Sequence, residues 1–95
     1  MKEILIDLEY VTSNESIGKR RASFEVNEKK FAVNPNLEAV RLTYQWFDRV
    51  RREYPYDIEV KSVKYNTRHD ITAGLQAVLD KEKRIAFEDW KAPWE

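Results

Sequence analysis

The chain has 95 residues, with 17 basic and 17 acidic side chains, a net charge of zero and no cysteine. That balance gives no global support to a dedicated nucleic-acid domain, which is usually basic overall, and it argues equally against an acidic mimic of DNA. The lack of cysteine excludes disulfides and thiolate metal sites and leaves the redox compartment open.

A chain of this length reads as one domain, residues 1–95, and its 42% hydrophobic content suffices for one core without covalent staples. The N-terminal stretch MKEILIDLEYV is too short and too charged for a signal peptide or a membrane span. The expectation is a soluble, cytoplasmic protein with no membrane association.

From Glu3 to Val11 the residues alternate, with Ile4, Ile6, Leu8 and Tyr10 on one side and Glu3, Asp7 and Glu9 on the other. Period two predicts a strand with one buried face. The polar segment Thr12 to Gly18 reads as a turn, and Ala22, Phe24 and Val26 then alternate with Arg21, Ser23 and Glu25. The two runs form an antiparallel hairpin, with the first strand's acids facing Lys19 and Arg21 of the second.

Asn27 to Lys30 (NEKK) reads as a hairpin loop leading to a short third strand at Phe31–Val33. Asn34 then caps a helix that Pro35 opens, running from about 35 to 54 and stopping before Pro55.

Residues 57–65 are β-branched and extended, but the alternation slips: Ile58 and Val60 share one phase, Val63 and Tyr65 the other. A bulge near Ser62 brings all four onto one face. Thr67 to Asp70 fits a capping box at the start of a second helix, about 68–90, with Ile71, Leu75, Val78 and Leu79 as its apolar stripe. A break near Lys83 followed by a strand within 83–91 is the alternative. The predicted class is α+β: a small antiparallel sheet with two helices on one face, in the order β-β-β-α-β-α.

On a helical wheel the first helix places Leu37, Val40, Tyr44, Phe47, Val50 and Tyr54 in one stripe, with Arg41, Gln45, Asp48 and Arg52 opposite. Leu42 and Trp46 fall outside that division and share their side with Arg49 and Glu53. Tryptophan beside arginine is the composition of interface hot spots. The leading functional expectation is therefore a non-catalytic module, accessory or regulatory, that binds a protein partner or itself. Its surface would be Leu42, Trp46 and Arg49, extended by Trp90 and Trp94. The alternative is a nucleic-acid-binding accessory protein that uses Lys19, Arg20, Arg21, Arg49, Arg52 and Arg68, with Trp46 or Tyr56 as stacking platforms.

Catalytic signals are sparse. The one histidine, His69, stands beside Asp70, but both fall in an expected first helical turn, where Asp is simply a good terminal residue. No glycine-rich phosphate loop and no nucleophile elbow occur, and one histidine without cysteine does not make the usual zinc site. No cofactor or metal is called for.

Glu59-Val60-Lys61 on a strand resembles the ExK half-motif of restriction-endonuclease-like nucleases. The resemblance covers three residues and implies metal-dependent cleavage, with Glu59 on the metal, Lys61 assisting water, and Asp7, Glu9 or Glu25 completing the site. A helix directly before this strand departs from that family's hairpin order.

Overall fold

The computed structural model describes residues 2–84. Two long strands, β1 (Glu3–Thr12) and β2 (Ile17–Glu25), form the N-terminal hairpin. A short helix α1 (Glu28–Val33) and a long helix α2 (Pro35–Arg51) follow. Then come β3 (Ile58–Tyr65), the two-residue β4 (His69–Asp70) and helix α3 (Thr72–Arg84). The fold is α+β, with a four-stranded antiparallel sheet ordered β2-β1-β3-β4.

The alternation of β1 does what period two dictates. Ile4, Ile6, Leu8 and Tyr10 are buried beneath the helices, and Asp7 and Glu9 lie on the other face opposite Arg21 and Lys19. The expected bulge is present: Tyr10 pairs with Val60 but Glu9 pairs with Ser62, so Lys61 is the extra residue. The slip puts Ile58, Val60, Val63 and Tyr65 into one core with Val40, Phe47, Val50, Ile71, Leu75 and Val78.

The start of α2 also follows the sequence. The Asn34 side chain accepts from the Leu37 amide at 3.1 Å, and Pro35 occupies the first turn.

Three expectations are corrected. Phe31–Val33 is no third strand: the Asn27 side chain accepts from the Lys30 amide and the Phe31 amide donates to the Asn27 carbonyl, so NEKK opens a helix instead of closing a hairpin. Phe31 then meets Tyr65 edge to face. The helix expected over 35–54 is α2 and ends at Arg51, with Tyr54 in the turn beyond it.

Thr67 to Asp70 is also no capping box. Asn66 and Thr67 both take positive φ (50° and 63°), turning the chain so that His69 and Asp70 pair back onto Tyr65 and Lys64. Helix α3 therefore begins only at Thr72, whose amide donates to the Asp70 carboxylate at 2.9 Å. The alternatives for residues 85–91, like Trp90 and Trp94, lie outside the described residues.

Candidate interaction surface

Helix α2 buries a wider arc than its main stripe. Ala39, Leu42 and Thr43 join Val40, Phe47 and Val50 in the interior, and the Thr43 hydroxyl donates to the Ala39 carbonyl at 2.7 Å. One flank of this arc faces α3. There Tyr44 donates to Glu82 at 2.9 Å, and Arg51 bridges Asp48 and Glu82 at 2.6 and 2.9 Å. The other flank faces β2 at the margin of the sheet. The residues set apart by the helical wheel, Leu42, Trp46, Arg49 and Glu53, run along this second flank.

The structure places these residues unequally. Leu42 is 9% exposed and belongs to the core. Trp46 is half-buried, its ring 5.0 Å from that of Phe24 on β2. What covers this flank is thus the edge strand, acting through Phe24. Glu53, in the turn after α2, accepts from both terminal nitrogens of Arg20 at 2.9 and 3.4 Å. Arg49 sits between these two anchors, exposed and with no acidic partner among the described residues.

Arg20 belongs to a further cluster. Its Nε donates to the Tyr10 hydroxyl at 3.2 Å, and Tyr10 and Tyr54 share a hydrogen bond of 2.7 Å. The bonds to Tyr10 and then Glu53 raise the Arg20 guanidinium further above its already high pKa. Hydrogen bonding to Tyr10 pushes the Tyr54 hydroxyl up. Gly18 is required here, because a Cβ at that position would overlap the Tyr10 ring.

The proposed nucleic-acid residues do not converge as free charges. Lys19 pairs with Glu9, Arg20 with Glu53, Arg21 with Asp7 and Arg52 with Asp48. Among the described residues of that set, Arg49 and Arg68 have no acidic partner, and they lie on different elements, on α2 and in the β3–β4 turn.

The remaining chemical candidates are equally placed. His69 is exposed and stacks on Tyr65 at 4.6 Å, while the Asp70 carboxylate, lowered in pKa by its bonds to Thr72, is occupied at the start of α3. Glu59 pairs with Val11 on the open sheet face, and exposed Lys61 is the bulged residue. Of their expected acidic partners, Asp7 bonds Arg21, Glu9 pairs with Lys19, and Glu25 lies opposite Glu3 at the other end of the hairpin. Among the described residues, no three His, Asp or Glu side chains gather where they could hold a metal ion.

The two edges of the sheet are finished differently. Beyond β3, β4 pairs with Lys64 and Tyr65, and Ile71 with the first turns of α3 reaches Val63 and Val60. The Ile71 amide donates to the Val63 carbonyl at 3.0 Å, the Val63 amide donates to the Thr72 hydroxyl at 2.9 Å, and Gln76 Nε2 donates to the Val60 carbonyl at 3.4 Å. Among the described residues the β2 edge has no such cover. Over nine residues, IGKRRASFE, it pairs with β1 on one side and with no described strand on the other.

This open edge was not visible in the sequence pattern, because alternation reports which face a strand buries and not which neighbours it has. No described helix is long and apolar enough to cross a membrane. Compared with protein-family models, curated proteins and solved structures, the chain shows no significant match.

Proposed function

We propose that the protein is a protein-binding module that takes an extended segment of its partner onto the open edge of β2. The observation that carries this reading is the contrast between the two sheet edges. Unpaired edge amides and carbonyls are a template for another strand, and folds normally blunt them. Here β4, Ile71 and α3 occupy the β3 edge at Val60 and from Val63 to Tyr65, whereas β2 presents nine residues in regular register with no bulge and no described strand beyond them. Strand addition draws affinity from main-chain hydrogen bonds and selectivity from side chains alternating on either face.

The Trp46 and Arg49 side of α2 supports the same surface. It packs on β2 through Trp46 and Phe24, and Arg49, exposed and with no acidic partner among the described residues, follows on the same flank of α2. Leu42 contributes from beneath, as a core residue. The nucleic-acid alternative draws less support, since its two cations without an acidic partner among the described residues, Arg49 and Arg68, lie on different elements and do not converge.

Titration of isotopically labelled protein with a neutral extended peptide alternating threonine and valine tests the reading. The largest amide shift changes should fall within Ile17–Glu25. Changes confined to other elements, or none, would contradict it.

A further inference from the structure

Lys19 and Arg21 stand on the open face of β2, where Glu25 at its end is the strand's one acid, and Arg49 stands on the helix side, on α2. We infer that the segment the β2 edge takes is an extended acidic stretch of a partner protein; this rests on the strand-addition reading above. On the open sheet face, Lys19 and Arg21 have side chains 73% and 63% exposed, and their carboxylate partners Glu9 and Asp7 lie on β1, away from the edge. Ion pairs this exposed are weakly held, so both cations can turn toward carboxylates arriving on the outer side. On the helix face, Arg49 stands between Trp46, anchored on Phe24, and Glu53, anchored on Arg20. It is exposed and without an acidic partner among the described residues.

The register within the hairpin shows what this strand accepts as a neighbour. Along β1, Asp7 and Glu9 lie opposite Arg21 and Lys19. A strand added on the other side with acidic residues at alternate positions would repeat that complementarity, while Arg49 covers the helix face. Opposite charges across a strand pair attract and like charges repel.

The same residues disfavour a second copy as the occupant. Two β2 strands paired antiparallel over their full length about a two-fold axis meet at their midpoint, Arg21, setting one Arg21 against the other. In that register Arg21 disfavours self-pairing, Lys19 and Arg20 falling opposite Ser23 and Ala22, while leaving the edge attractive to an acidic strand.

Three peptides of the length of β2, alternating valine with glutamate, threonine or lysine, distinguish the cases. Binding would be followed by amide shifts in β2, and the protein's mass by sedimentation. The glutamate peptide should bind about tenfold more tightly than the threonine peptide, and the lysine peptide more weakly than either. Arg49→Ala should narrow that gap and Arg49→Glu should narrow it further, at an exposed position where neither change disturbs the core. Equal binding of all three at β2 would overturn the charge selection and leave strand addition standing. Binding of none would overturn both. A protein that is dimeric through β2, with peptide competing against the dimer, would assign the edge to a second copy and overturn the acidic partner.

Discussion

Trp46 of α2 and Phe24 of β2 lie with ring centroids 5.0 Å apart and planes inclined at 57°, fastening the long helix to the edge strand of the sheet. The contact explains how two large apolar residues outside the main stripe of α2 are accommodated: Leu42 goes into the core and Trp46 leans on Phe24. Because Trp46 is only half-buried, Trp46→Ala should destabilise the fold by about 2 kcal/mol, less than full burial would imply. A double-mutant cycle with Phe24→Ala should return a coupling of about 0.5–1.5 kcal/mol. Denaturant titration of the four proteins measures both.

Glu38 gives a pH dependence of known sign. Its carboxylate is buried and accepts from Arg41 Nε at 2.6 Å and from the Asn27 amide at 2.7 Å, joining α2 to the start of α1. The Arg41 bonds, aided by the Asn27 amide and opposed by burial, hold its carboxyl below the ordinary 4.5. A group whose pKa is lowered by folding stabilises the native state above its unfolded value, and that contribution is lost as pH falls through the folded value. Glu38→Gln should cost about 2–3 kcal/mol at pH 7, since it leaves Arg41 unpaired in a partly buried site. The difference from the parent should shrink as pH is taken from the ordinary carboxylate range downward. Denaturation midpoints of both proteins across that range provide the check.

At Gly18 the prediction concerns space. A methyl group there meets the Tyr10 ring, which is buried and bonded to both Tyr54 and Arg20. Gly18→Ala should cost about 1–3 kcal/mol through forced displacement of that ring. Chemical shifts of Tyr10 and Tyr54 should move together, because one hydrogen bond joins them.

Thr67 predicts a gain. A β-branched residue at φ of 63° bears the steric cost of the left-handed region, about 1–2 kcal/mol. Glycine removes that cost but enlarges the freedom of the unfolded chain. Thr67→Gly should therefore raise stability by a net of about 0.5–1 kcal/mol, read as an increase in Tm, with the β3–β4 pairing unchanged.

The parts of the fold legible in the sequence are those governed by local period and cap chemistry. The hairpin of β1 and β2, the slip at Ser62 and the Asn34-Pro35 start of α2 all follow from side-chain placement within a few residues. Phe31–Val33 misled because a three-residue apolar run fits strand or helix alike, and Asn27 settled it by capping. Thr67–Asp70 misled because the capping-box pattern does not register that Asn66 and Thr67 adopt left-handed backbone.

The candidate surface was half legible. Leu42 and Trp46 are distinguishable on a helical wheel, and Phe24 is visibly inward-facing, but no local pattern states that they meet. That β2 has β1 as its one strand neighbour among the described residues is a property of strand order. It emerges only when β3 is found to pair with β1 and not with β2.

Amide hydrogen exchange across β2 tests the central claim most directly. In the free protein the amides of Ile17–Glu25 that do not bond to β1 should exchange as fast as the turn amides of Ser13 and Asn14, while the bonded turn amides of Thr12 and Glu15 and those in central β1 exchange more slowly. Adding the alternating glutamate–valine peptide should slow those outward amides of β2 and leave the β3 edge unchanged. Outward amides already protected in the free monomer, or unprotected at saturating peptide, would contradict strand addition at β2.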